Sequence, residues 1–539
     1  MLKKRYVCLF SLLLALCPFF CPYLKAEEKP NSSSMTIDTI PLLPSGVTLE
    51  EIILKDSSVI TQEQVEEVAA PFLSKNVTLE DLRKIQTQLT ELYTQAGYLN
   101  SLVRFLPQDN RRLEAGEGII VYRAIESKLE KIEVQNLSHL HQKYVEDRLW
   151  AYESKPLNAR SLEEGLLLLQ QDELISKVEG KLIPGSSQGE NIWIVRVEEA
   201  PVWQIATEIS NEESPFVGEW GVKGILENKN IFGVGDRAQV EYKQTEGLER
   251  LLANISVPLN PQNGRLQLSY QFNKSEIIAE PFDPIDIRNE SFTISASFFQ
   301  PLIFTLTDKF SLGINVEHRE SQSFVFNDFP FSFSSNVRDG FTELNVVRFH
   351  QTYQTRDEDD VFSVNSQINI GWSNLIDQSS FVSWQAQIQH LHVFSDRVSL
   401  LTRLSGQVGD NQLPTLEQCA IGGLNGNQFI FGNTVRGYAT NVRSGDNCFA
   451  TSVELWFNVI KQTGGSLSVV PFVDYATVEQ NGDEQSISPS TLVSTGLGIR
   501  GQIGDISARL DYGIPLRRMS NSNLEEQRWN FSIFWGFSF

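Results

Sequence analysis

The sequence predicts a membrane β-barrel of about 16 antiparallel strands preceded by two small α/β units. Three observations carry that expectation. From Pro201 to Phe539, apolar and polar residues alternate with a period of two. Before them, two stretches of roughly 75 residues repeat one order of strands and helices. At the N-terminus a basic cluster leads into an apolar run, the mark of an exported chain.

Taken in order, Lys3, Lys4 and Arg5 precede the apolar stretch Tyr6 to Leu24, and Ala26 opens onto Glu27-Glu28-Lys29-Pro30. Residues 1–26 therefore read as a signal peptide. The competing reading, an uncleaved anchor, is opposed by Pro18 and Pro22, which would interrupt its helix. Residues 27–45 contain prolines and lack helical periodicity, so they read as a linker. Of five cysteines, cleavage leaves Cys419 and Cys448. Two cysteines in an exported chain invite one disulfide, with two free thiols as the alternative.

The first α/β unit spans residues 46–126. A strand at Leu49 to Leu54 is followed by a helix at Gln62 to Leu73. A second helix carries Leu79, Leu82, Ile85, Leu89 and Leu92 on one face and stops at Gly97. Strands at Leu102 to Leu106 and Gly118 to Ile125 close it. The second unit, residues 127–200, repeats the order, with a strand at Leu129 to Val134 and helices at Gln142 to Tyr152 and Leu162 to Leu169. Strands at Val178 to Ile183 and Ile192 to Val197 end it. Neither unit holds a catalytic constellation. Leu102 to Leu106 and Ile192 to Val197 are expected as exposed sheet edges, able to add an extended peptide as a further strand.

Residues 201–539 are the barrel. Leu266, Leu268, Tyr270 and Phe272 alternate with Gln267, Ser269, Gln271 and Asn273. Trp529, Phe531, Ile533, Trp535, Phe537 and Phe539 fall on one face of the last segment. A soluble sandwich also alternates. Segments of about ten residues, long enough to cross hydrocarbon at a tilt, favour the barrel. Closure leaves no unpaired edge for lipid to desolvate.

Composition removes other classes. Mean hydropathy is −0.20, which excludes a bundle of membrane helices. Net charge is −22, against the clustered cations that nucleic acid requires, so no nucleic-acid partner is expected. No phosphate-binding loop or Ser/His/Asp arrangement is identifiable, no enzyme is expected, and no cofactor is called for. His390 and His392 share a strand face but gain no third ligand by spacing, so they read as wall residues. Asp357-Glu358-Asp359-Asp360 lacks the glycine and spacing of a calcium loop and reads as a solvated turn. No metal site is expected.

Several motifs resemble one family, the outer-membrane translocators of two-partner secretion (haemolysin-activator type) within the Omp85 superfamily. Leu92 to Arg104, with Tyr93, Gly97 and Tyr98, resembles the helix-to-strand turn of a first polypeptide-transport-associated (POTRA) domain. Leu182-Ile183-Pro184-Gly185 followed by Gly189 is similar to the closing hairpin of a second. NKNIFGVGD at 228–236 resembles the family's first barrel hairpin. Most specific are Gly422-Gly423, then Val435-Arg436-Gly437-Tyr438, then Gly445-Asp446. The resemblance implies a loop folded into the barrel lumen, whose Arg436 pairs with Asp474 of Phe472-Val473-Asp474 on the wall. Cys419 and Cys448 bracket this loop. The chain departs from the family in its inserted stretch Asn425 to Asn433, and in residues 27–45, which lack the pattern of a plug helix.

The function so implied is secretion of an extended polypeptide client, such as an adhesin or haemolysin, through an outer-membrane pore after recognition by periplasmic POTRA domains. Outer-membrane lipid and the barrel assembly machinery are the other implied partners, with Phe539 as the assembly signal. Two alternatives stand beside it. One is an assembly factor for other barrels, and the other is a porin-like solute channel.

Overall fold

The computed structural model describes residues 48–539 apart from 99, 107–108, 110–116, 327, 334–336, 374–379, 425–433, 463, 483–488 and 521. The expected signal peptide, linker and inserted stretch 425–433 lie outside the described residues. The chain divides at Ala200/Pro201 into two compact units.

In the N-terminal unit, β1 (Glu51–Lys55), α1 (Gln62–Ala69), α2 (Leu79–Gln95), β2 (Leu102–Phe105) and β3 (Ile119–Ile125) come first. Both helices open with capping boxes, Thr61 with Gln64 and Thr78 with Asp81. The helix expected to reach Leu73 stops at Ala69, because Pro71 cannot continue it. The α2 face Leu82, Ile85, Leu89 and Tyr93 is fully buried against the sheet. The second half repeats this with β4 (Lys128–Gln135), α3 (Gln142–Trp150), α4 (Ala159–Gln170), β5 (Ile175–Pro184) and β6 (Glu190–Glu199).

Strand order is β1-β3-β2 in one sheet and β4-β6-β5 in the other, with the first and last strands parallel. This corrects one expectation. Ile192 to Val197 is not an edge but the central strand, bonded on both sides. The reason is topological: a helical crossover sets the last strand beside the first, and a hairpin sets it beside the middle one. β2 does lie at an edge, as does β5. A polar joint ties the halves together. Asn100 Nδ2 donates to Asn191 Oδ1 at 2.7 Å, Ser127 N donates to Ser101 Oγ at 2.9 Å, and Ala159 N donates to the Gly97 carbonyl at 3.0 Å.

The C-terminal unit is a closed antiparallel barrel of 16 strands. They are β7 (Trp203–Ser210), β8 (Gly221–Asn228), β9 (Arg237–Gln244), β10 (Leu248–Pro258), β11 (Arg265–Glu276), β12 (Arg288–Phe304), β13 (Asp308–Val325) and β14 (Phe341–Arg356). The rest are β15 (Asp360–Ser373), β16 (Ser380–Ser395), β17 (Val398–Gly409), β18 (Asn447–Gln462), β19 (Gly465–Glu479), β20 (Thr491–Ile503), β21 (Ile506–Pro515) and β22 (Trp529–Ser538). β22 pairs with β7 from Ser532↔Ser210 to Ser538↔Gln204. Trp203 and Phe539 then exchange backbone hydrogen bonds at 3.1 and 2.9 Å, so Phe539 sits at the seam.

Alternation sets the two faces. Leu266, Leu268 and Tyr270 of β11 are exposed on the outer surface, where lipid replaces water, while Gln267, Ser269 and Gln271 line the lumen. The NKNIFGVGD turn joins β8 to β9, the second and third strands, rather than the first two. It is closed by its own side chains: Asp236 accepts from Ile231 N and Phe232 N, and Asn230 Oδ1 from Gly235 N.

Candidate functional site

Between β17 and β18, residues 410–424 and 434–446 fold into the lumen. Its descending limb ends in a short pairing, Cys419 to Ile421 against Arg443 to Gly445. A disulfide joins Cys419 to Cys448 at the start of β18, with their Cα atoms 6.3 Å apart. The limb then turns at Gly422 (φ +114°) and Gly423 (φ +64°), where a side chain would be strained. Gly423 and Val435 exchange backbone hydrogen bonds at 3.1 and 3.0 Å, which squares the chain for the tip.

Arg436 occupies that tip and is fully buried. Its Nε and Nη2 donate to Asp474 Oδ2 and Oδ1, both at 2.8 Å, and its backbone N donates to Asp474 Oδ2 at 3.0 Å. Nη1 donates to Glu454 Oε1 at 2.7 Å, and Nη2 to Ser452 Oγ at 3.1 Å. The guanidinium carbon lies 3.5 Å from the centre of the Phe472 ring. Period two explains why Phe472 and Asp474 act together, since i and i+2 point into the same lumen. Ser452, Glu454, Asp474 and Asp511 come from β18, β19 and β21. Arg403, Arg500 and Arg509 pair with the same carboxylates. Such a charged cluster is tolerable only because each member is paired.

The flanking residues hold the tip down. Gly437 (φ +94°) lies against Gly513 of β21; a Cβ on Gly437 would stand 2.9 Å from the Gly513 carbonyl carbon. Tyr438 Oη is 2.9 Å from both the Val493 and Arg517 carbonyl oxygens. Val435 packs with Ile421, Tyr438, Ala476, Val478 and Leu492. The structure thus brings Val435, Arg436, Gly437, Tyr438, Phe472 and Asp474 into one site, with Gly422, Gly423 and the Cys419–Cys448 bridge supporting it from behind.

Sequence reasoning missed a second attachment of the same loop. Glu417, in the short turn Thr415–Glu417, is buried and receives Arg348 Nη1 at 2.9 Å and Nη2 at 2.7 Å. Arg348 of β14 also reaches Glu317 of β13 at 3.3 Å. Leu413 and Leu416 beside it pack on Leu344, Val346 and Phe381 of the wall. The loop is therefore held at two places on different parts of the wall. A lone Glu and Arg far apart in sequence carry no motif, though inward-facing apolar residues at 344 and 346 break the polar pattern of a lumen face.

His390 and His392 do gain a partner. His390 Nε2 lies 2.7 Å and His392 Nδ1 2.8 Å from Asp360 Oδ1, on the outward face of neighbouring strands β15 and β16. The register Asp360↔His392 makes this contact, which spacing alone did not reveal. Asp357 Oδ1 accepts from the backbone N of Asp359 and Asp360, so the acidic run closes its own turn.

An Omp85 superfamily domain model matches residues 230–539, and a POTRA domain model of ShlB type matches residues 47–116. The chain is 22% identical to outer membrane transporter CdiB of Dickeya dadantii (strain 3937), over 74% of this chain and 70% of that protein. It is 19% identical to heme/hemopexin transporter protein HuxB of Haemophilus influenzae, over 94% and 91%. Among solved structures, CdiB from Escherichia coli superposes with a TM-score of 0.65 at 17% identity, over 94% of this chain and 92% of that one.

Proposed function

Because the chain belongs to the Omp85 superfamily, with a barrel for the outer membrane and POTRA structure for the periplasm, we propose that it secretes an extended polypeptide client through its barrel, as a two-partner secretion translocator. In this reading residues 1–26 are a signal peptide, 27–45 a linker, 46–126 and 127–200 two POTRA domains, and 201–539 the barrel. Secretion by such a chain uses recognition and conduction, not bond-making chemistry, and it is not an enzyme. The similarity to proteins named as transporters supports this. The client is an exoprotein such as an adhesin or haemolysin, and barrel assembly machinery inserts the translocator, with Phe539 as its signal.

The observation that carries the reading is the lumen loop bound through Arg436 to Asp474. A solute channel has no use for a tandem α/β unit in front of a barrel that already contains a bound loop. The client docks along an exposed edge such as β5, where backbone hydrogen bonds give affinity without reading sequence; along β2 the N–H groups of Val103 and Phe105 are already taken by Thr90 and Gln86 of α2. It then passes the loop and folds outside. Co-expression with a candidate client and assay of its surface release tests this. Removing residues 47–199 should abolish release, whereas a porin would keep its conductance and its function.

A further inference from the structure

The lumen is chemically lopsided. On the side of β18, β19 and β21 it is filled by the Arg436 cluster. Between the descending limb and β11–β15 lies a cavity of about 400 Å³. Its wall on β11 and β12 is uncharged and, apart from Phe299, polar, with Gln267, Ser269, Gln271, Asn273, Thr293 and Ser295 among its members. The charged groups that border it, Glu317, Arg319, Arg348 and Glu417, are bonded to one another. Deeper in the same cavity Asn315, His350 and Gln367 are each more than nine-tenths buried. Asn315 Oδ1, His350 Nδ1 and Gln367 Oε1 have no hydrogen-bond partner. These three atoms are closed off by surrounding side chains, so the groups a ligand would meet are the open amides and hydroxyls of the β11 and β12 wall.

Resting on the secretion reading above, we propose that this cavity wall is the lumenal holding site for the client, and that it binds the peptide backbone of an extended chain. Each wall amide offers both donor and acceptor, and each hydroxyl rotates, so the wall meets N–H and C=O groups of any sequence. Spacing fits as well. Successive inward residues of one strand repeat every two residues, the same period at which an extended client presents its backbone groups to one side. A wall without net charge holds acidic and basic segments alike and traps neither, whereas the Arg436 side is occupied by the loop tip and its paired charges. Chain passage therefore follows β11 and β12, opposite the bound loop tip.

The test uses the full chain in planar lipid bilayers, probed with a 30-residue unstructured peptide of Gly, Ser, Thr and Asn. Blocks of the current should shorten about fivefold for each wall partner removed, in Ser269→Ala, Gln271→Leu and Ser295→Ala. Gln204→Leu, an inward position of β7 outside the cavity, should leave block times unchanged. In cells, a client stalled by a folded C-terminal fusion should cross-link to S269C and S295C and not to Q204C. Equal block times in all variants, or cross-links confined to Q204C, overturn the proposal. If the client is released normally while the wall variants change nothing, only the holding site fails. If no client is released by the parent chain, the secretion reading fails instead.

Discussion

Asp474 accepts three hydrogen bonds from Arg436, two from its guanidinium at 2.8 Å and one from its backbone N at 3.0 Å. One wall carboxylate therefore fixes both the charge and the direction of the loop tip. Arg436→Ala leaves Asp474 and Glu454 buried without that cation. Breaking a buried pair this way costs about 3–5 kcal/mol. The expected outcome is a large drop in secreted client while the barrel keeps its heat-modifiable migration on gels. Unchanged release would refute the role given to Arg436.

Arg436→Lys separates charge from geometry. An ammonium keeps the charge but cannot make the paired contact with both Asp474 oxygens. Its secretion should fall close to that of the alanine variant. Full rescue by lysine would show that charge alone seats the loop.

The Glu417–Arg348 contact predicts a different phenotype. With Glu417→Gln the tip stays bound through Arg436, but the descending limb loses its clamp, about 3 kcal/mol or more in a buried setting. Mean channel conductance in planar bilayers should rise, with larger fluctuations. A Glu417→Gln, Arg348→Met double variant should be better folded than either single variant, since it leaves no unpaired buried charge. Thermal unfolding of the four proteins measures the coupling.

The Cys419–Cys448 bridge closes a segment with a sequence separation of 29. Chain entropy for a loop of that length corresponds to about 3.5 kcal/mol. Cys419→Ser with Cys448→Ser should leave the barrel assembled but speed hydrogen exchange in residues 420–447. Identical exchange with and without the bridge would remove its assigned support of the tip.

Glu199 supplies a pH prediction. Burial pushes its carboxyl upward, but the backbone N–H groups of Ser138, His139 and Leu140 donate to it and hold it below the ordinary carboxylate range. A depressed folded value means the stabilisation is present above the unfolded value, about 4.3, and is lost as pH falls through the folded one. Exchange protection of residues 128–199 in the full chain should therefore weaken below about pH 4.3. Glu199→Gln should lose about 1 kcal/mol at neutral pH and flatten that dependence.

What could be read in advance follows the range of the interactions. Strand alternation is a property of neighbours, so Leu266 to Asn273 betrayed its two faces, and Phe472 with Asp474 betrayed a shared one. Helix faces such as Leu82, Ile85 and Leu89 were equally local. Position within a sheet is not local. Ile192 to Val197 has the composition of any buried strand, and only the crossover decides that it is central. The pairs Glu417 with Arg348 and Asp360 with His392 depend on barrel register, which no stretch of sequence encodes by itself. The Arg436 site was within reach only through motif resemblance; its partners Glu454 and Asp511 lay outside the motif and went unnoticed.

The strands of the barrel are unequal. β7, β8 and β9 have 8 residues each, while β12, β13 and β14 have 17, 18 and 16. At about 3.4 Å per residue, the surplus amounts to roughly 30 Å of hydrogen-bonded sheet. Part of it is polar, Arg288 to Ser291 paired with Ser321 to Phe324, and exposed Phe326, Phe329, Phe331 and Phe333 follow. The mouth opposite the chain's N-terminal rim is thus a parapet on one side and a low sill on the other. A polypeptide emerging there meets aromatic rings to one flank and open water to the other. Its first collapse outside the cell would begin against a surface, with a direction imposed on it.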